Sequence, residues 1–262
     1  MSEPSGIPPS NTRAPGTLGA KLVTAGLVLA LVCAVLAVLS GLGHRMGLWH
    51  FRTGFTILQA AFWGALVAGV VCIAGVLLGR KPRPQIVAMA LVGVAIAIVT
   101  AYIPWNLKRV AGSVPRIHDI TTDFRNPPAF VAAAKLRKPT DNPADYDGVE
   151  IGAMQREAYA DLQPLLTGAP PDQAFAAAKT ALSEMGLEII DSNQAEGRLE
   201  AVDTTLWYGF KDDMVIRILE NAGNGSRIDV RSKSRLGKSD LGVNAKRIRT
   251  FFTKLRAALP AA

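Results

Sequence analysis

Residues 22–43 read LVTAGLVLALVCAVLAVLSGLG, an unbroken run without a formal charge. A helix of that length, at 1.5 Å per residue, crosses a hydrocarbon core of about 30 Å, so the run reads as a transmembrane span. Two further uncharged stretches follow at 53–79 and 84–107. The last ends in Tyr102, Pro104 and Trp105, and the aromatic rings suit a headgroup boundary. Three spans are therefore predicted by residue 107. A cleaved signal peptide is the rival for the first, but its apolar core exceeds the usual length of about 7–15 residues, and a polar, Pro-rich stretch precedes it.

Composition divides the 262-residue chain at the same place. Residues 1–105 hold 7 Lys or Arg and 1 acidic residue, whereas 106–262 hold 22 and 20, so the formal +8 is mostly concentrated around the spans. Positive charge there orients helices and meets lipid headgroups, which removes the usual inference from a basic chain to nucleic acid. Both cysteines, Cys33 and Cys72, fall within spans, so the remainder can build neither a disulfide framework nor a thiolate metal site. Orientation rests on density. Arg80, Lys81 and Arg83 crowd the short link between spans two and three, which places that link and the N-terminus in the cytoplasm and the C-terminal domain outside it. No span carries an ionisable residue at its centre, so an ion path or proton relay is not expected. Small residues at Ala65, Gly69, Gly75 and Gly79 suit either packing among the three spans or a contact between two copies.

Four regions result: a disordered tail at 1–20, three spans over 21–107, a Pro-rich linker and wrapping loop at 108–153, and a soluble domain at 154–262. Prolines at 115, 127, 128, 139 and 143 interrupt every regular pattern in residues 113–150, which therefore read as ordered loop. Beyond them Pro170, Pro171 and Asp172 open a helix with Phe175, Ala178, Leu182 and Met185 on one face and Gly186 as its stop. Strand patterns then occupy 187–190, 198–204, 214–219 and 227–234, joined by Asn/Gly-rich links that favour antiparallel pairing. A final helix runs from Asp240 to Leu259 with Ile248, Phe251, Phe252 and Leu255 facing inward. The expected fold is a membrane α-helical region plus a soluble α+β domain, a two-layer sandwich with a four-stranded antiparallel sheet and both helices on one face.

The blocks GFKDDMVIRI (209–218) and IDVRSKSRLGKSDLGVNAKRI (228–248), with PRIHDITTD (115–123) and REAYADLQPL (156–165) ahead of them, resemble the signature of the domain-of-unknown-function family 1499. The resemblance covers about residues 115–259 and implies a bacterial envelope or plastid-type domain of unestablished activity. It carries no catalytic residue. The αββββα order is also similar to the helix-grip domains of outer-membrane-assembly lipoproteins, a likeness that bears on fold alone.

Charge marks two candidate sites. Asp212 and Asp213 should meet Arg231, Ser232, Ser234 and Arg235 across paired strands, next to Ser239, Asp240 and Asn244 at the start of the last helix. These parts suit either an anion-binding site at a helix N-terminus or a structural corner built from capping and salt bridges. Residues 225–256 are about +8 and 139–224 about −11. The two sets can pair with each other, or a basic strand face carrying Arg231 and Lys233 can stand exposed to anionic lipid or an acidic partner. The second candidate is His118, Asp119 and Asp123, which can form an acid/base or metal cluster or serve only as turn caps. No nucleophile elbow, metal-ligand His pair or phosphate loop is present. The expectation is a non-enzymatic membrane protein without metal, cofactor or nucleic acid, its domain binding an envelope protein, a lipid headgroup or a small anionic ligand. The alternative is a hydrolase built on the His118 segment with Asp212 and Asp213.

Overall fold

The computed structural model describes residues 17–79, 81–221 and 223–260. Residues 1–16 of the expected tail, with Arg13, and Arg80 of the link after span two lie outside the described residues. The chain forms two compact units that meet between Leu107 and Lys108.

The first unit is helical: α1 (Thr17–Arg45), α2 (Phe51–Leu78) and α3 (Pro84–Ala111), each long and apolar enough to cross a membrane. Small residues face inward, among them Ala30, Ala61, Ala65, Cys72 and Ala97, while large aliphatics such as Val28, Val70 and Ile98 face out. That inverts the soluble pattern and suits lipid, where close packing of small residues holds helices together. A Cβ on Gly19 would sit 2.6 Å from the carbonyl of Gly75, and one on Gly75 2.9 Å from that of Gly19, so α1 and α2 approach backbone to backbone. Ala65, Gly75 and Gly79 of the second span thus serve contacts among these helices.

The second unit is an antiparallel sheet. Its long strands are β3 (Glu188–Asn193), β4 (Arg198–Thr204), β5 (Lys211–Asn221) and β6 (Gly225–Ser234), paired in sequence order. Two short strands, β1 (Asp119–Thr121) and β2 (Leu165–Thr167), both pair with the outer edge of β6, so the sheet has six strands rather than the expected four. Each is three residues long and finds its partner 59 or more positions away, too little local pattern for a period to register. The register runs Asp119↔Lys233, Lys233↔Asp213 and Asp213↔Val202 across four strands.

Helices α6 (Pro171–Glu184) and α7 (Val243–Ala258) cover one face. Phe175, Ala178, Leu182, Ile248, Phe251 and Leu255 pack there on Leu199, Met214, Ile216, Ile228 and Val230, the alternate positions of three strands. Gly186, at φ +71°, turns the chain out of α6 as its position suggested.

The opposite face is covered too, which the two-layer expectation did not foresee. The stretch 122–148 lies over it and includes the five-residue α4 (Ala132–Leu136), followed by α5 (Val149–Ala158). These residues were read as loop because their prolines break any long period, yet α4 starts four positions beyond Pro128 and two beyond Phe130. Glu200 of β4 fixes it. Its fully buried carboxylate accepts N–H bonds from Val131 (2.7 Å), Ala132 (3.1 Å) and Ala133 (2.8 Å), the free donors of the first helical turn. At the outer edge of β1, the side-chain amide of Gln155 in α5 donates to the Thr121 carbonyl (2.7 Å) and accepts from its N–H (3.0 Å), finishing the sheet without another strand.

A charge-locked face as the candidate functional site

Strand periodicity places Arg227, Asp229, Arg231, Lys233 and Arg235 on the face away from α6 and α7. That direction matches the alternation in the sequence, but the row is not an exposed basic surface. Arg231 is 2 % exposed, Lys233 0 % and Arg235 8 %, because the 122–148 stretch seals them in. Each cation reaches a carboxylate.

Arg231 makes a two-pronged contact with Asp119 of β1, Nε to Oδ1 and Nη2 to Oδ2, both 2.8 Å. It also donates to the carbonyls of Pro128 (3.2 Å) and Ala144 (2.9 Å), with the rings of Phe130 and Tyr146 at 4.8 and 5.5 Å. Planar donors and aromatic stacking together are the requirement that arginine meets and lysine does not. Lys233 Nζ sits 2.6 Å from Asp147 Oδ1, 2.6 Å from the Asp145 carbonyl and 3.2 Å from Asp119 Oδ2. Asp213 is shared by Arg235 (2.7 Å) and Arg137 (2.8 Å), and Arg235 also donates to the Leu136 carbonyl (3.3 Å). Burial pulls the Arg137 guanidinium below the ordinary arginine range, with Asp213 opposing that fall and Arg235 adding to it.

Asp123 belongs to a separate knot. Its carboxylate meets Arg217 and Arg227, each at 3.0 Å, and both arginines also hold Asp229. Burial alone would raise the Asp123 carboxyl, but the N–H groups of Asn126 and Arg125 and the two guanidiniums hold it below the usual carboxylate range. His118 faces Asp147, with Nε2 and Oδ2 3.2 Å apart but not aligned for a hydrogen bond. His118, Asp119 and Asp123 therefore point at three different partners. Among the described residues, no three His, Cys, Asp or Glu groups converge in a geometry that could hold a metal ion.

The other candidate set is split by the sheet. Asp213 faces the covered charge row, whereas Asp212, one position earlier, points to the α7 side and meets Arg247 at 2.7 Å. Arg247 also reaches Asp203 (2.7 Å) and the Ser232 hydroxyl (3.1 Å) and contacts the Asn244 side chain. Burial works against the Arg247 charge, and Asp212 and Asp203 outweigh it to raise its pKa. Ser232 donates to Asn244 Oδ1 (2.7 Å), and Asn244 Nδ2 contacts the Ser234 hydroxyl (3.0 Å) and the His118 carbonyl (3.0 Å). Asp240 accepts from the N–H of Gly242 (2.8 Å) and Asn244 (3.0 Å), and Ser239 accepts weakly from Leu241 at 3.4 Å. Burial, with Asp212 nearby, raises the Asp240 carboxyl above its ordinary value against those N–H bonds.

Asp212 and Asp213 thus lie within β5, on opposite faces, and Arg231, Arg235 and the hydroxyls are engaged by side chains of the same chain. The sequence reading found Asp213, Arg231 and Arg235 but missed Arg137, Asp147, Glu200, Gln155 and Arg247. Only the alternating charges of β6 could have signalled that a buried acidic complement was needed.

A sheet whose polar face is closed by a strap and whose apolar face carries two helices, in one chain with three helices fit for a bilayer, defines a membrane protein with an extramembrane α+β domain. The chain belongs to the family DUF1499, proteins of unknown function, which matches residues 119–255. No curated protein matches the chain.

Removing one member of a buried ion pair strands the other charge, at a cost of about 3–5 kcal/mol. Asp213→Ala, which leaves Arg137 and Arg235 face to face, should lose that much in denaturant unfolding of the full chain in detergent. Arg235→Ala should lose only about 1–3 kcal/mol, the cost of a charged hydrogen bond, because Arg137 still neutralises Asp213.

Burial pushes His118 below its ordinary pKa; Asp147, Asp119 and Asp240 oppose that and Lys233 adds to it. The unfolded chain therefore takes up the proton first as pH falls, so stability present above about pH 6.5 is lost below it. Thermal unfolding at pH 7.5 and 5.5 should show a smaller acid-induced drop for His118→Gln than for wild type, since His44 and His50 are common to both.

Proposed function

We propose that the protein is a non-enzymatic, multi-pass protein of the bacterial inner membrane whose C-terminal domain stands in the periplasm and binds a partner protein, a lipid headgroup or a small anionic ligand at the envelope surface. The observation that carries this reading is the internal engagement of the charged clusters. Asp119, Asp213, Arg231, Arg235 and Arg247 satisfy one another across elements distant in sequence, which is the arrangement of a cross-link rather than of groups poised for chemistry.

An anion displacing Asp119 or Asp213 from these arginines would have to unseat the strap, so the geometry favours the structural corner over a ligand site at Arg231, Ser232, Ser234, Arg235, Ser239, Asp240 and Asn244. A concavity of about 360 Å³ beside Asp123, bordered by Arg125, Arg156 and Arg227, suits a small anion better, since its cations outnumber its carboxylate. Against the hydrolase alternative, His118 faces Asp147 while Asp212 and Asp213 diverge.

Mass spectrometry of the full chain purified in mild detergent tests the reading. A bound lipid, anion or protein should persist in the double variant His118→Gln, Asp123→Asn; a bound molecule turned over by wild type and retained unchanged by that variant would establish the hydrolase instead. For the orientation, Lys81→Cys should resist a membrane-impermeant thiol reagent in whole cells, and Ala195→Cys, on the exposed β3–β4 turn, should react once the outer membrane is opened. The reverse pattern would place the domain in the cytoplasm.

A further inference from the structure

Asp123 stands where the chain bends on leaving β1. Its Oδ1 accepts from the N–H groups of Arg125 (2.9 Å) and Asn126 (3.1 Å), and its Oδ2 receives Arg217 and Arg227 at 3.0 Å each. Both oxygens are therefore engaged within the chain. The next side chain, Phe124, lies against α5 at Gly152, where a Cβ would stand 3.3 Å from the ring. One helical turn further, Arg156 lies over the same ring, its guanidinium carbon 4.9 Å from the centroid.

Strand β6 brings a third cation to this place. Arg227 directs Nε and Nη2 at Asp229 and Asp123, while its Nη1 meets no acceptor among the described residues. Thr122 adds a hydroxyl that is 2 % exposed and accepts from Val230 N–H at 2.9 Å, and its own proton has no acceptor among the described residues. Thr122, Asp123, Phe124, Arg125, Arg156 and Arg227 border one concavity of about 360 Å³.

The charges there do not balance. Arg125 and Arg156 are exposed, and neither side chain pairs with a carboxylate among the described residues. Four guanidiniums, those of Arg125, Arg156, Arg217 and Arg227, thus face the two carboxylates Asp123 and Asp229, a surplus of two positive charges. Contact with Phe124 occupies the face of the Arg156 guanidinium and leaves its N–H edge available, so the ring orients this side chain without consuming its donors. Like charges gathered at a concave surface repel one another, and an anion among them relieves that repulsion while accepting charge-assisted hydrogen bonds. A carboxylate brings a single charge and two oxygens. A terminal phosphoryl group brings three oxygens and roughly two negative charges at neutral pH, which matches both the three bordering arginines and the surplus.

We propose that this concavity binds a terminal phosphoryl dianion, as inorganic phosphate or a phosphate monoester, with Arg125, Arg156, Nη1 of Arg227 and the Thr122 hydroxyl as its donors. The proposal rests on the reading of the domain as a binding module and gives the chemical class of its ligand.

Calorimetric titration of the full chain in detergent, at constant ionic strength, tests it with inorganic phosphate, glycerol phosphate and acetate. The two phosphates should bind saturably and acetate more weakly by about tenfold or more, since it can satisfy fewer charge-assisted bonds. Arg125→Gln with Arg156→Gln should weaken phosphate binding by about tenfold or more, whereas Lys179→Gln with Lys246→Gln, which removes as much exposed charge from α6 and α7, should leave it unchanged. Arg125→Gln alone gives up no hydrogen bond or ion pair of that side chain among the described residues, so it should weaken binding with the unfolding temperature unaltered. Short-chain phosphatidic acid set against glycerol phosphate separates the sources: tighter binding of the lipid makes the phosphoryl group that of a headgroup, and equal or weaker binding makes it that of a soluble ester. Absence of saturable phosphate binding overturns the proposal, as do binding untouched by the Arg125, Arg156 variant and an equal loss in the lysine control. Each of these results strikes the phosphoryl site alone; the broader binding reading fails separately, when nothing co-purifies with the full chain.

Discussion

Asp119, reaching from β1 to Arg231 and Lys233 of β6, ties the end of the linker to the centre of the sheet, and the polar side of the domain is assembled from contacts of this kind. A row of five charged side chains on one strand face is untenable under a protein layer unless nearly every charge is met, since an unpaired buried ion costs several kcal/mol. The fold meets it by drawing carboxylates from four separate places: Asp119 of β1, Asp147 ahead of α5, Asp213 of β5 and Asp123 of the strap. The strap in turn packs Phe130 and Ala133 against Val215, with Ala134 and Ala144 beside them. It stays in place through Glu200 at the start of α4 and through the arginines that donate to its carbonyls. Charge is here an adhesive that adds to the small apolar contact of this segment.

That economy explains why the domain has two unlike faces. Under α6 and α7 the contacts are aliphatic and aromatic, tolerant in detail and dependent on area. Under the strap they are directional, and the same number of residues specifies one arrangement much more narrowly. Arg247 carries the directional logic onto the helical face as well, joining β4, β5, β6 and α7 around one guanidinium. His118, a half-buried imidazole beside Asp147, stands where the chain enters the domain.

The membrane unit obeys the opposite rule. Its helices present their bulk outward and their small residues inward, and at Gly19 and Gly75 nothing larger than hydrogen fits between the backbones. A sequence that avoids charge for three long stretches leaves such steric matching as a main means of holding the helices. A sequence rich in charge downstream must instead hide or pair it. The two halves therefore read differently, and the change at residue 107 is a change of solvent.

How much of this was legible depended on the range of the cause. The spans, the antiparallel meander from β3 to β6 and the inward faces of α6 and α7 follow from periods and turn residues local to each segment, and a single strand's alternation already told which side of β6 was charged. That Asp212 and Asp213 lie opposite the 231–235 segment could be read as well, because the short β5–β6 turn fixes the register between neighbours. What the sequence did not contain was the fate of the charged side. Burial of Arg231 and Lys233, the three-residue strands β1 and β2, the seat of α4 on Glu200 and the splitting of Asp212 from Asp213 by the sheet all depend on partners tens of residues away. No local period encodes such contacts; only the closed chain brings each carboxylate to its cation, because their attraction acts through space and not along the sequence.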